Sequence, residues 1–267
     1  MAVKNQNSFY REGFEGVHPL NHYYPPKSWF RQQNIQYLLS FYPLSNIQSL
    51  IILINNFTQS IFMQVNAKEH WERIFDTDKT EAFSWFQAYP KTSMDFLGLF
   101  NLPIDAKIID IGGGDSNLVD VLIEKGYRNI TVLDISANAL NRAKNRLGQK
   151  AEKVTWIVSD IIEFAPTEKY DFWHDRAAFH FLTTEERIAK YVTLAEKHIN
   201  PGGYLVLGTF SENGPEKCSG LTIKQYSETS MSDRFDKSFK RIKCVTEEHQ
   251  TPFNTSQHFL FCSFRKK

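Results

Sequence analysis

From residue 107 onward, short apolar runs alternate with stretches whose apolar residues recur at helical spacing, a pattern that predicts parallel strand–helix–strand units. Lys107–Ile111 reads as a buried strand carrying Asp110. Ser116 reads as the cap of a helix with Leu118, Val119, Leu122 and Ile123 on one face, closed by Gly126. Asn129–Asp134 is the second strand, followed by a helix capped by Ser136, presenting Leu140, Ala143 and Leu147 and stopping at Gly148. Val154–Ser159 and Tyr170–Asp175 are the third and fourth strands. Thr183 and Glu186 form a capping box for a helix carrying Ile188, Val192, Ala195 and Ile199 inward. Pro201-Gly202-Gly203 then turns the chain into a fifth strand, Tyr204–Phe210. Phe239–Thr246 and His258–Arg265 alternate on either side of a turn around Thr251–Asn254, an antiparallel hairpin added to a parallel sheet.

Upstream the pattern is lost. Residues 1–62 carry only Lys4, Arg11, Glu12, Glu15, Lys27 and Arg31 as charges and show no sustained period. They read either as a lid over the active site or as an N-terminal extension upstream of a working start at Met63. Residues 63–267 are expected to be the working domain, with 63–106 supplying helices that cap a core formed by 107–267.

Composition narrows the function. The 267 residues are 42% hydrophobic with a formal net charge of +1, and no basic stripe favours a nucleic-acid partner. Leu50–Ile54 is apolar but far short of the roughly 20 residues a membrane helix needs. No membrane association, stable protein partner or metal is therefore expected. Cys218, Cys244 and Cys262 are odd in number and widely spaced, which argues against a disulfide framework or a zinc site and for a cytoplasmic location, with packing expected to account for Cys244 and Cys262.

The chemistry concentrates where strands end. Gly112, Gly113 and Gly114 turn the chain between the first strand and the following helix, where a ligand can approach backbone without meeting Cβ atoms. A nicotinamide dinucleotide fingerprint would need a third spaced glycine where Asn117 stands. An acid ahead of the glycines suits S-adenosyl-L-methionine instead: Asp110 can face its ammonium, while amides near Ser116 meet its carboxylate. Asp134, at the end of the second strand, can accept the ribose hydroxyls. Asp160, after the third, can accept the adenine amino group, with Ile135 and Ile161 sandwiching the ring. At the fourth strand end, Asp175 is the candidate substrate-facing carboxylate, with His174 and Arg176 beside it. Arg176 can alternatively bind a substrate acid, and a salt bridge anchoring the loop competes with both roles. His180, in an apolar context, reads as a packed histidine. Trp71 and Trp85 can cover the cofactor and face its sulfonium, or simply dock on the sheet. The loop Ser211–Gly220 is placed to shape the substrate pocket.

These residues resemble the class I S-adenosylmethionine-dependent methyltransferases over residues 67–267. IDIGGGDS is similar to the family's first motif, LDIS to the second, SDI to the third and YDFWHDRAAFHFL to the fourth; Ser116 stands where many members have glycine. The resemblance implies an α/β, Rossmann-like seven-stranded sheet in the order 3-2-1-4-5-7-6, strand 7 antiparallel, with helices on both faces. It implies methyl transfer to a nitrogen, oxygen or sulfur nucleophile of a small molecule or protein side chain. HDRAAFHFL is distantly similar to an Asp-Lys-Gly-Thr segment in a group that includes protein-lysine enzymes, with Arg176 in place of lysine and Ala177-Ala178 in place of Gly-Thr. An NAD-dependent oxidoreductase and a non-catalytic cofactor-binding module are the competing readings.

Overall fold

The computed structural model describes residues 67–76 and 83–267, all within one compact unit, Ser60–Lys267. The upstream segment, 1–62, read as a lid or an extension, lies outside the described residues. Residues 67–74 are helical (α1) and are followed by α2 (Lys91–Phe100). The alternating region then runs β1 (Lys107–Ile111), α3 (Leu118–Glu124), β2 (Asn129–Asp134), α4 (Ala137–Leu147), β3 (Val154–Val158), β4 (Tyr170–Arg176), α5 (Glu185–His198) and β5 (Ile199–Phe210). A small hairpin, β6 (Lys217–Cys218) and β7 (Leu221–Thr222), and α6 (Glu228–Phe235) precede β8 (Phe239–Gln250) and β9 (Ser256–Lys266).

The main sheet has seven strands in the order β3-β2-β1-β4-β5-β9-β8. β1 to β5 are parallel to one another, and β9 runs antiparallel to both β5 and β8. This is the expected sheet. Its strand order changes direction between β1 and β4, which places a crevice beyond their carboxyl ends.

Side-chain alternation divides the interior into two cores. Ile109, Trp173, Leu205, Leu207, Leu260 and Phe264 pack with α5 and α6 on one face. Ile108, Phe172, Val206, Phe259 and Phe261 pack with α2, α3 and α4 on the other. Adjacent residues in β1, β4, β5 and β9 thus serve opposite cores.

Three local expectations change. The first crossover helix is capped at Asn117 rather than Ser116, although Ser116 Oγ still accepts the Leu118 N–H at 3.1 Å. The α5 cap is Thr184, not Thr183, and Ile199 begins β5 instead of ending the helix. Cys244 and Cys262, expected to be packed thiols, face each other in the β8–β9 ladder and form a disulfide. Spacing along the chain gave no sign of this, because the pairing is created by hairpin register. Among the described residues no helix is long and apolar enough to cross a membrane.

Candidate functional site

A cavity of about 590 Å³ opens at the carboxyl ends of the parallel strands. Its wall takes Ile111 and Gly112 from the end of β1, Asp134 and Ile135 from β2, Ser159, Asp160 and Ile161 from β3, and Arg176 to Ala178 from β4. Trp71 and Trp85 close it from the segment before β1, and Cys218, Leu221 and Thr222 from the β6–β7 hairpin. The structure therefore brings together Gly112, Asp134, Ile135, Asp160, Ile161, Trp71, Trp85 and Arg176 of the residues singled out in the sequence.

The glycine turn works by close packing. Gly112 holds φ 63°, and a Cβ there would lie 2.7 Å from Ala178 Cβ, in the loop after β4. A Cβ on Gly113 would lie 2.6 Å from Asp110 Oδ2. The turn is thus pressed onto the Asp110 carboxylate, while Gly114 follows beside Asp134. Ser116 lines a separate cavity of about 30 Å³.

Asp110 and His174 are not part of the large cavity's wall. Asp110 Oδ1 meets His174 Nδ1 at 2.7 Å, and His174 Nε2 meets Ser93 Oγ at 2.8 Å, all three side chains being buried. This chain ties β1, β4 and α2 together beneath the glycine turn. Asp175 points to the opposite face of β4. The N–H groups of Ala178 and Phe179 each donate to its Oδ1 at 3.0 Å, and the Tyr191 hydroxyl donates to Oδ2 at 2.7 Å. Trp173 Nε1 in turn donates to that hydroxyl at 3.0 Å. The expected substrate-facing carboxylate is thus fully buried and consumed in folding the loop over Gly112. Burial raises its pKa to about 6 against the effect of these hydrogen bonds.

Asp134 is nearly buried but borders the cavity. Burial raises its pKa to about 7; the Ser136 N–H, donating to Oδ1 at 2.8 Å, opposes the rise, and the nearby Asp110 and Glu72 add to it. Asp160 is held by Arg187, with Nη2 and Oδ2 2.9 Å apart, and both side chains line the cavity.

Sequence reading places Glu72 in a helix before the first strand but gives its carboxylate no role. From α1 it accepts the N–H groups of Ala137 and Asn138 at 2.9 and 3.0 Å and the Ser136 hydroxyl at 2.8 Å, supplying a carboxylate to the start of α4. Burial works against its charge, but these donors hold its pKa below the ordinary value. The only signal available was Glu72's place beside Trp71. His70 was likewise given no role of its own: it lines the cavity, and its Nε2 is buried with no partner among the described residues. Around it Trp71 meets Phe181 edge-on with centroids 5.1 Å apart, and Trp85 stacks on Phe83 at 4.7 Å. His180, expected to be packed, is fully buried, and desolvation lowers its pKa to about 3, so it is neutral.

Comparison with known proteins agrees with this fold. Residues 108–203 match the family described as "Methyltransferase domain". The chain is 28% identical over 107 residues to malonyl-[acyl-carrier protein] O-methyltransferase 2 of Ilyobacter polytropus, covering 40% of each chain. It is 26% identical over 221 residues to the eEF1A lysine and N-terminal methyltransferase of Mus musculus, covering 75% of this chain and 31% of that one. It thus spans less than half the length of either relative. Among solved structures, the N-methyltransferase NodS of Bradyrhizobium japonicum in complex with S-adenosyl-L-homocysteine aligns with a TM-score of 0.53 at 18% identity, over 76% of this chain and 98% of that one. At that identity the likeness is one of fold.

Proposed function

We propose that this chain is a class I S-adenosylmethionine-dependent methyltransferase, transferring a methyl group to a nitrogen, oxygen or sulfur nucleophile of a small molecule or protein side chain. The observation that carries the reading is the cavity in which Asp134 and Asp160, at successive strand tips, flank Ile135 and Ile161 beside the Gly112 turn. Two carboxylates and two aliphatic side chains suit the hydroxyl-rich and flat halves of an adenosyl group.

Asp134 would hold the ribose hydroxyls, Asp160 the adenine amino group, and Ile135 and Ile161 the faces of the base. When bound, S-adenosylmethionine supplies a methyl group on a sulfonium, already attached to a good leaving group. The protein's task is then to orient the nucleophile and exclude water. Trp71, Trp85 and Phe181 supply the apolar walls, and the Trp71 ring face suits a cation. Asp110, His174 and Asp175 act as positioning residues that fix the two loops meeting at Gly112. His70 Nε2 is the group we assign to accept a proton from a nucleophile that arrives protonated.

Calorimetry tests the premise. S-adenosylmethionine and S-adenosylhomocysteine should bind and NAD should not, and transfer of labelled methyl to candidate amines, thiols, carboxylates and cell extract then identifies the acceptor. Binding of NAD alone would overturn the reading. Binding without transfer to any acceptor would favour a cofactor-binding module.

A further inference from the structure

Arg176 ends β4 and lines two cavities, the large one together with Trp71, Trp85, Phe181 and Cys218 and the small one of about 30 Å³ beside Asp115, Ser116 and Asn117. In the strand order it stands two positions from Asp134 and three from Asp160, roughly 10 and 14 Å away at about 4.8 Å per strand. It therefore lies beyond the part of the cavity assigned to the adenosyl group.

Its guanidinium is half satisfied. Nη1 donates to the Trp85 carbonyl at 3.0 Å, and the group lies 4.8 Å from the Phe259 ring centroid. Nε and Nη2 are both buried and have no hydrogen-bond partner among the described residues. These two nitrogens form one edge of the planar group, the edge whose parallel N–H bonds match the two oxygens of a carboxylate. Leaving them unpaired is costly, because a buried donor loses its water without replacement. Arg187, in the same wall, is paired with Asp160.

Glu247 does not use this edge. It influences Arg176 through its charge but forms no ion pair with it; its Oε1 accepts from Gln87 Nε2 at 2.9 Å, and its Oε2 is buried with no partner among the described residues. Burial lowers the Arg176 pKa to about 10, which leaves it a cation at neutral pH.

We propose that the Nε–Nη2 edge of Arg176 is a carboxylate-binding subsite, serving an acid group on the methyl acceptor or the methionine carboxylate of the cofactor. The proposal rests on the methyltransferase reading above.

The test measures binding by calorimetry to wild type, Arg176→Met and Arg176→Lys, using S-adenosylhomocysteine and 5′-methylthioadenosine, which lacks the amino acid arm. If the subsite serves the cofactor, both variants lose at least tenfold in affinity for S-adenosylhomocysteine and keep their affinity for methylthioadenosine. If it serves the acceptor, S-adenosylhomocysteine binds all three proteins alike, and acetate or succinate raises the Tm of the saturated wild type but of neither variant. The lysine variant keeps the charge without the fork, so it remains informative if the methionine variant does not fold. Glu247→Gln separates a structural pairing. On the proposal it leaves stability near wild type and tightens carboxylate binding; a Tm loss equal to that of Arg176→Met, with no change in carboxylate binding, overturns the subsite. Variants that bind every probe as the wild type does also overturn it. Failure of the wild type to bind either adenosyl compound would instead defeat the methyltransferase reading.

Discussion

Asp134 and Asp175 are carboxylates at the tips of the two strands that flank β1, and burial raises both pKa values, yet their surroundings give them different work. Asp134 keeps an edge on the cavity, whereas Asp175 spends Oδ1 on the loop after β4 and Oδ2 on Tyr191 of α5. Asp134→Ala should therefore weaken S-adenosylhomocysteine binding by roughly 1–3 kcal/mol, since the sugar loses a charged acceptor; unchanged calorimetric affinity would remove Asp134 from the site. The pH dependence has a definite sign. With its pKa raised to about 7 from an ordinary 3.8, Asp134 binds a proton more tightly in the folded than in the unfolded protein. It costs no stability below the unfolded pKa, and the penalty grows as pH rises toward 7 and is complete above it. Asp134→Asn should raise the Tm of the ligand-free protein at pH 8 and leave it nearly unchanged at pH 3.5; equal gains at both would contradict the assignment. Asp175→Ala orphans two buried N–H groups and the Tyr191 hydroxyl and should cost roughly 2–4 kcal/mol in urea unfolding. A variant of normal stability with turnover abolished would restore the substrate-facing role.

Among the elements, α1 and the β8–β9 hairpin carry the main departures from the pattern in the sequence. Glu72 reaches from α1 to the first turn of α4, immediately after Asp134. Glu72→Ala should cost about 1–2 kcal/mol, comparable to loss of a helix cap. Because the Glu72 pKa is depressed, its contribution is present above the unfolded value of 4.5 and is lost as pH falls through the folded one. The gap between wild type and variant should narrow below pH 4.5; a gap that persists to pH 2 would mean that Glu72 acts by packing alone. At the far edge of the sheet, the Cys244–Cys262 bridge joins paired strands across 18 residues of chain. Reduction should cost up to about 3 kcal/mol on the loop-closure account and lower the Tm of wild type but not of a Cys244→Ala variant. Thiol labelling of freshly purified protein also tests the cytoplasmic location proposed from the cysteine count: free Cys244 and Cys262 support it, and an intact bridge counts against it.

At the scale of the whole molecule, the sheet order sets Asp134 and Asp160 on one side of the β1–β4 crevice and Arg176 on the other, all lining one cavity. We propose that 63–267 works as a unit. A chain beginning at Met63 should keep its Tm and its affinity for S-adenosylhomocysteine; an insoluble or non-binding product would show that the upstream segment belongs to the domain.

By itself the sequence determined the strands, most of the helices, the late hairpin and the row of acids at the strand tips. These depend on local periodicity, caps and glycine punctuation, which any short window of chain displays. Tertiary structure decided where the side chains went. Alternation along Trp173-His174-Asp175-Arg176 predicts that neighbours point apart, but only docking against Ser93 of α2 and Tyr191 of α5 turned His174 and Asp175 into internal ties and left Arg176 at the cavity. Those partners lie up to 81 residues from β4 in sequence. Such a pairing is set by how faces pack across the sheet, and so leaves no mark on the local pattern.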